Sequence, residues 1–186
     1  MNTAFILEAA MAINQAIIDS EAEIESLDRE IGDGDHFINM KRGCATIVAM
    51  HDELATHSPD IALNKIGIKL LSTIGGASGP LFASFFMAMA KTLKEQNDES
   101  ILSIATAFEA GVQAIANRGK AGLGEKTMLD VLIPVANQFK ASANKTSKEI
   151  ADNLQQVALD GVLATKDMIA TKGRAAGLGE RAIGHI

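Results

Sequence analysis

Apolar side chains recur every three or four positions along most of this chain. Ile6, Ala10, Ile13, Ile17, Ile24 and Leu27 keep helical spacing, while Glu8, Gln15, Asp19 and Glu25 occupy other faces. That spacing predicts an amphipathic helix of about six turns, ended by the polar, glycine-rich stretch 28–35. A second helix is expected from about Phe37 to Ala55. The turn His57-Ser58-Pro59-Asp60 follows, with Asp60 as candidate cap of a third helix. This helix carries Ile61, Ile66, Ile68, Leu70 and Leu71 and stops at Gly75-Gly76. Ser78 is the candidate cap of a fourth, with Pro80 in the first turn, where proline is tolerated. Asp98 is the candidate cap of a fifth, which ends near Arg118-Gly119. Residues 120–126 read as a loop. A sixth helix holds Pro134, which should kink it or leave a carbonyl free. Ser147 opens a seventh that runs to about Lys172, and the tail 173–186 has four glycines and no helical stripe.

No repeat of fixed period and no Pro- or Ser-rich linker divides the chain, so 1–186 reads as one domain. Seven helices with short connections predict an all-α, antiparallel up-and-down bundle. In such a bundle alternate connections share one end. The loops 28–36, 75–79, 119–126 and 173–186 should therefore meet, and they hold most of the glycines and the unusual polar residues. The other connections, 57–60, 96–98 and 144–147, read as plain turns. One end of the bundle looks built for a ligand.

Composition supports the helical reading, because Ala, Leu, Ile and Met dominate and there is no Trp, no Tyr and only 7 Phe. Against 17 Lys and Arg stand 23 Asp and Glu, a net charge of −6, which disfavours a nucleic-acid partner. The one cysteine, Cys44, has no partner for an internal disulfide and reads as a small buried side chain. No stretch reaches the roughly 18 apolar residues of a membrane span. No basic segment precedes the first apolar residues, and Glu8 interrupts them, so the expected location is the cytoplasm.

The four loops carry the candidate chemistry. Asp28-Arg29-Glu30-Ile31-Gly32-Asp33-Gly34-Asp35-His36 places three aspartates among glycines, a donor set suited to Mg²⁺, Mn²⁺ or Ca²⁺. An EF-hand does not fit, because the twelfth residue from Asp28 is Asn39 and from Asp33 is Cys44. A solvated capping turn is the plainer alternative. Gly75-Gly76-Ala77-Ser78-Gly79-Pro80 precedes a helix and offers free N–H groups to an anion, or else a tight helix corner. Gly119-Lys120-Ala121-Gly122-Leu123-Gly124-Glu125-Lys126-Thr127 is not a Walker A loop, since Glu125 interrupts Gly-Lys-Ser/Thr and no strand precedes it. It can supply backbone donors and an apolar wall through Leu123 and Met128. The tail offers Arg174 and Arg181 to phosphate, or is simply solvated. Together the loops describe a phosphate ligand held through a divalent metal.

All four of these segments resemble signatures of the dihydroxyacetone kinase L subunit family. Leu27 to His36 with Asn39-Met40 is similar to its metal loop, and Gly75 to Phe82 to its phosphate loop. Gly124-Glu125-Lys126-Thr127-Met128 and Gly173 to Arg181, with Ile183-Gly184-His185, are similar to its later motifs. The likeness spans nearly the whole chain in motif order. It implies a barrel of up to eight antiparallel helices with ADP at one end, ATP being its transient form. It also implies two Mg²⁺ ions between the phosphates and Asp28, Asp33 and Asp35. His36 and Asn39 would border the phosphates, Ala77 and Ser78 would meet them, Gly119 and Met128 would line the nucleotide, and Arg174 would close over it. The family's L subunit holds no substrate nucleophile: dihydroxyacetone binds a K subunit, and a phosphohistidine M subunit rephosphorylates the ADP. An ATP-dependent dihydroxyacetone or fatty-acid kinase subunit, and a non-catalytic relative, remain alternatives. The chain departs from the pattern at Phe37, where Gly is usual, and at Ala182, where Ser is common. The sequence stops at Gly184-His185-Ile186, ahead of the Asp-Pro-Gly and final helix usual in the family: either it is a truncated piece or the barrel closes with seven helices, and loss of that segment would weaken the adenosine pocket.

Overall fold

The predicted first helix is two helices in the computed structural model, which describes residues 2–96, 98 and 100–186. α1 (Thr3–Asp19) starts under Asn2, whose side chain accepts the Phe5 N–H at 2.9 Å, and stops at Ser20. α2 (Glu21–Ile31) starts immediately after it. Asp19 and Ser20 compete with the helical backbone for hydrogen bonds, so a break falls there at low cost. The second predicted helix is also divided, into α3 (His36–Ala49) and the single turn α4 (His51–Leu54).

Three caps differ from expectation. α5 (Pro59–Thr73) is entered from Ser58, which is extended, and Pro59 takes the first helical position, where its missing N–H is no loss. Asp60 lies inside the helix and accepts the Ser58 hydroxyl. α6 (Ser78–Gln96) has Ser78 as its first residue, and the Ala77 carbonyl receives the Leu81 N–H at 3.3 Å. α7 (Ile101–Gly119) is capped by Ser100, whose hydroxyl accepts the Ser103 N–H, while Asp98 accepts from the Ser100 N–H and the Ser103 hydroxyl. For α5 and α7 the sequence holds two neighbouring capping residues, and backbone direction selects one; at α6 the residue before Ser78 is Ala77, which has no capping side chain.

α8 (Leu129–Ala141) contains Pro134, which has no N–H for the Asp130 carbonyl four residues back. α9 (Ser147–Ala164) crosses at that point: a Cβ on Gly161 would stand 2.9 Å from the Asp130 carbonyl oxygen. Glycine thus lets the two helices close. α9 begins in a Thr146–Glu149 capping box and ends eight residues before the predicted Lys172. The chain continues as a 3₁₀ turn (Thr165–Asp167) and a second 3₁₀ segment (Arg174–Ala182) interrupted at Gly179.

Consecutive long helices pack on one another: α5 on α6, α6 on α7, α7 on α8 and α8 on α9, with α1 against α3 and α3 against α5. Short connections between them make the order up-and-down. The larger core unites Ile6 and Leu7 of α1, Leu54, then Ala62, Leu63, Ile66 and Leu70 of α5, and Met89 and Ala90 of α6. A second cluster, Val112, Ile115, Leu129 and Ala136, joins α7 to α8. Phe85 and Phe108 touch both, edge to face at 5.4 Å, an arrangement that adds to their burial. Among the described residues there is no strand, and no helix is long and apolar enough to cross a membrane.

Candidate nucleotide-binding end

The four odd loops meet, as the helix order requires. The first loop and the end of α2 reach the tail by one ion pair and one histidine–carboxylate hydrogen bond. Arg174 Nε lies 2.7 Å from Asp33 Oδ2, and His185 Nδ1 lies 2.7 Å from Glu30 Oε2. The third loop reaches the tail through Lys126, whose ammonium donates to the carbonyls of Thr165 at 2.7 Å, His185 at 2.7 Å and Met168 at 3.4 Å. Burial lowers the pKa of Lys126 from the ordinary lysine value, and the charge of Asp167 partly offsets this. Glu125 accepts from the Thr171 hydroxyl, at 2.7 Å, and from the Gly122 N–H, with Lys172 3.5 Å away. These contacts hold its carboxyl below the usual carboxylate range, the Thr171 hydroxyl contributing most.

The second loop approaches α3 and α7. A Cβ on Gly75 would stand 3.1 Å from Asn39 Oδ1, and one on Gly119 would stand 3.6 Å from the Leu81 side chain in the first turns of α6. Gly76 has φ +64°, which permits the sharp turn out of α5, and at Gly79 the Ile74 carbonyl leaves no room for a side chain.

Each residue singled out above is therefore placed. His36 opens α3, and its N–H donates to Asp28 Oδ2 at 3.0 Å. Asn39 is buried one turn later, and its Oδ1 accepts from Arg42 at 3.4 Å. Ala77 and Ser78 begin α6, Gly119 ends α7, and Met128 precedes α8. Met128 packs on the second core cluster and also lines an open cleft of ≈ 210 Å³ with Ile31, Lys126, Thr127, Thr165, Ala175 and Ile186. Leu123 stands out at the loop tip, largely exposed, and is not part of that cleft lining.

The helix runs past the expected stop, so Asp28 lies in the last turn of α2 while Asp33 and Asp35 lie in the loop after it, and the three do not face one point. Asp28 folds over Gly32 and binds the His36 N–H, Asp33 faces Arg174, and Asp35 precedes α3 with no side-chain capping bond. Among the described residues no three acidic, His or Cys side chains converge closely enough to hold a metal. The donor chemistry nevertheless fits a hard divalent cation: one carboxylate at the end of α2 and two on the exposed, glycine-containing loop that follows, one of these already facing a positive charge. Convergence requires rotation of Asp28 and withdrawal of Arg174 from Asp33.

Sequence reasoning passed over Asp130. This buried carboxylate accepts the Gly124 N–H and the Thr127 N–H, the latter at 2.7 Å, and so shapes the third loop. The signal was present, because Thr127-x-x-Asp130 is a capping-box spacing ahead of an apolar run.

A sequence profile of the DAK2 domain matches residues 30–186. The ADP-binding subunit DhaL of the PTS-dependent dihydroxyacetone kinase of Lactococcus lactis is 42% identical over 174 residues, covering 93% of this chain and 83% of that protein. The corresponding subunit of the PEP-dependent kinase of Escherichia coli is 38% identical over 172 residues, covering 91% and 82%. In three dimensions the chain is similar to the dihydroxyacetone kinase of C. freundii, with a TM-score of 0.73 for the native form and 0.69 for the complex with AMP-PNP and Mg²⁺. Identity to it is 23%, and the match covers 98% of this chain in the native form but only 31% of that longer chain. The chain belongs to the DAK2 domain family.

Proposed function

We propose that this chain is the ADP-binding subunit of a PEP-dependent dihydroxyacetone kinase. The observation that carries the reading is its likeness to free-standing ADP-binding subunits, 38–42% identical over more than nine-tenths of the chain. The gathering of four loops at one end of the bundle supports it.

In this reading residues 1–186 form one nucleotide-binding unit. Asp28, Asp33 and Asp35 would hold Mg²⁺, two ions by the family resemblance. His36, Asn39, Ala77 and Ser78 border the phosphates, Gly119 and Met128 line the nucleotide, and Arg174 moves from Asp33 onto the phosphates. When bound, magnesium supplies positive charge where a phosphoryl group departs and arrives. The chain's own groups position the phosphates. N–H groups at the starts of α3 and α6 point out of helix N-termini, which favours anions. The Arg174 guanidinium adds a planar set of donors. No side chain here is cast as a nucleophile. The acceptor, dihydroxyacetone, sits on a separate K subunit, and a phosphohistidine-bearing M subunit restores ATP from the resident ADP.

The alternative is a subunit that exchanges its nucleotide with free ATP. Identity of 42% and 38% to ADP-binding subunits of PTS- and PEP-dependent kinases supports the first reading. Reconstitution separates the two. The proposed reading expects dihydroxyacetone phosphorylation with a PEP-driven phosphohistidine donor and a K subunit, without added ATP. Turnover only with added ATP, and mixing of labelled free ATP with the bound pool, would favour the alternative.

A further inference from the structure

We propose that Lys126 is a positioning residue of the nucleotide end, setting where the tail stands over the aspartate loop. The inference rests on the nucleotide-binding reading above and adds a residue to it.

Lys126 adopts φ +56°, a left-handed backbone that a non-glycine residue takes at a cost. That conformation aims its side chain across the bundle end. Its ammonium gathers carbonyls from three places: Thr165 at the end of α9, Met168 just beyond, and His185 near the last residue described. An ammonium has three donors, and here all three have a partner. The Thr165 and Met168 carbonyls bracket the 3₁₀ turn that follows α9. The His185 carbonyl closes the tail into a loop, reinforced by the Gly184 N–H on the Lys166 carbonyl at 2.8 Å. Arg174 lies within that loop.

The consequence reaches the first loop. With its carbonyl on Lys126, His185 presents its ring to Glu30, and Arg174 in the same loop faces Asp33. Lys126 touches no aspartate among these contacts. Its action is through the tail: it fixes the height at which Arg174 stands over Asp33 and bounds the cleft beside Met128. No other amino acid reproduces this fully. Methionine matches the length without donors, glutamine has two donors on a shorter stem, and arginine keeps charge and donors in a planar fork.

The test uses the full chain with K126M, K126Q and K126R. Hydrogen exchange without nucleotide reads the tail, and titration with Mg-ADP reads the site. In K126M, amides of 166–186 should exchange about tenfold faster while α5 and α6 keep wild-type protection. The Mg-ADP dissociation constant should rise about tenfold or more, because Arg174 is no longer held in place. K126Q should fall between, and K126R should stay within about threefold of wild type. Wild-type tail protection in K126M, or unchanged Mg-ADP affinity alongside a loosened tail, overturns the proposal. Should K126M and K126Q fail to fold, acetic anhydride labelling of the wild type decides. Lys126 should react several-fold more slowly than the exposed Lys148, and equal rates overturn the clasp. A wild type that does not bind Mg-ADP, with the tail still loosened in K126M, removes the nucleotide reading and leaves the clasp standing.

Discussion

Arg174 places Nε 2.7 Å from Oδ2 of Asp33, so the tail guanidinium sits on a carboxylate that the proposed function assigns to metal. Arg174 is largely exposed, so the pair adds about 1 kcal/mol or less to stability. Its value is positional. Replacing Arg174 with Ala should shift the melting temperature by only a few degrees. Mg-ADP affinity should fall roughly tenfold to a hundredfold, the worth of a charge-assisted hydrogen bond to phosphate. Calorimetric titration beside thermal denaturation reads both. Loss of the fold with no specific loss of affinity would make the pair structural.

Asp33→Ala addresses the same pair from the other side. Removing the carboxylate should abolish the magnesium dependence of ADP binding, while Asp33→Asn, which keeps the shape but not the charge, should weaken it nearly as much. Titrations with and without magnesium measure this. Unchanged affinity and phosphoryl transfer in Asp33→Ala would sink the metal assignment.

Glu125 gives the third loop a pH dependence. Its folded pKa is lowered, first by the Thr171 hydroxyl and then by the Gly122 N–H and Lys172. A lowered carboxylate stabilises the fold above its unfolded pKa of about 4.3 and loses that contribution as pH falls through the folded value. Wild type should therefore be more stable than Glu125→Gln at pH 7, and the gap should close below about pH 4. Urea midpoints across that range test it; a gap independent of pH argues against the mechanism.

The spectrum is a direct report on the ligand. With no Trp and no Tyr, the chain absorbs almost nothing at 280 nm. Desalted protein should show a 260 nm band, with ADP released on denaturation. A protein without that band favours exchangeable ATP.

Packing of α5 predicts a contrast between two isoleucines two positions apart. Ile66 is 1% exposed and Ile68 is 55% exposed. Ile66→Ala should cost about 2–5 kcal/mol through lost burial and a cavity. Ile68→Ala should cost less than about 0.5 kcal/mol. Chemical denaturation of the two variants checks the assignment.

That contrast also marks where sequence reading stops. Both isoleucines belong to the same apolar run, and the packing of α6, α3 and α1 against α5 distinguishes them. The caps behaved alike: Ser58 and Asp60, or Asp98 and Ser100, are chemically equivalent candidates, and the direction of the incoming chain chose between them. α9 ends at Ala164, and just beyond it the carbonyls of Thr165 and Met168 accept from Lys126, 39 and 42 positions away, a partner that no local pattern reveals.

Much was nonetheless legible. Periodicity of 3.6 and the choice of residues determined the all-α class, because a helix buries one face by a rule that neighbours in sequence can state. Counting helices then placed the four glycine-rich loops at one end, since short connections force alternation. The aspartate, glycine and arginine content of those loops named the ligand chemistry. Tertiary structure alone decided which of these charged groups meet. Glu30 and His185 stand 155 positions apart, and Asp33 pairs with Arg174 rather than with Asp28 and Asp35. Such pairings depend on where the whole chain path brings two loops, a long-range property that local spacing does not encode.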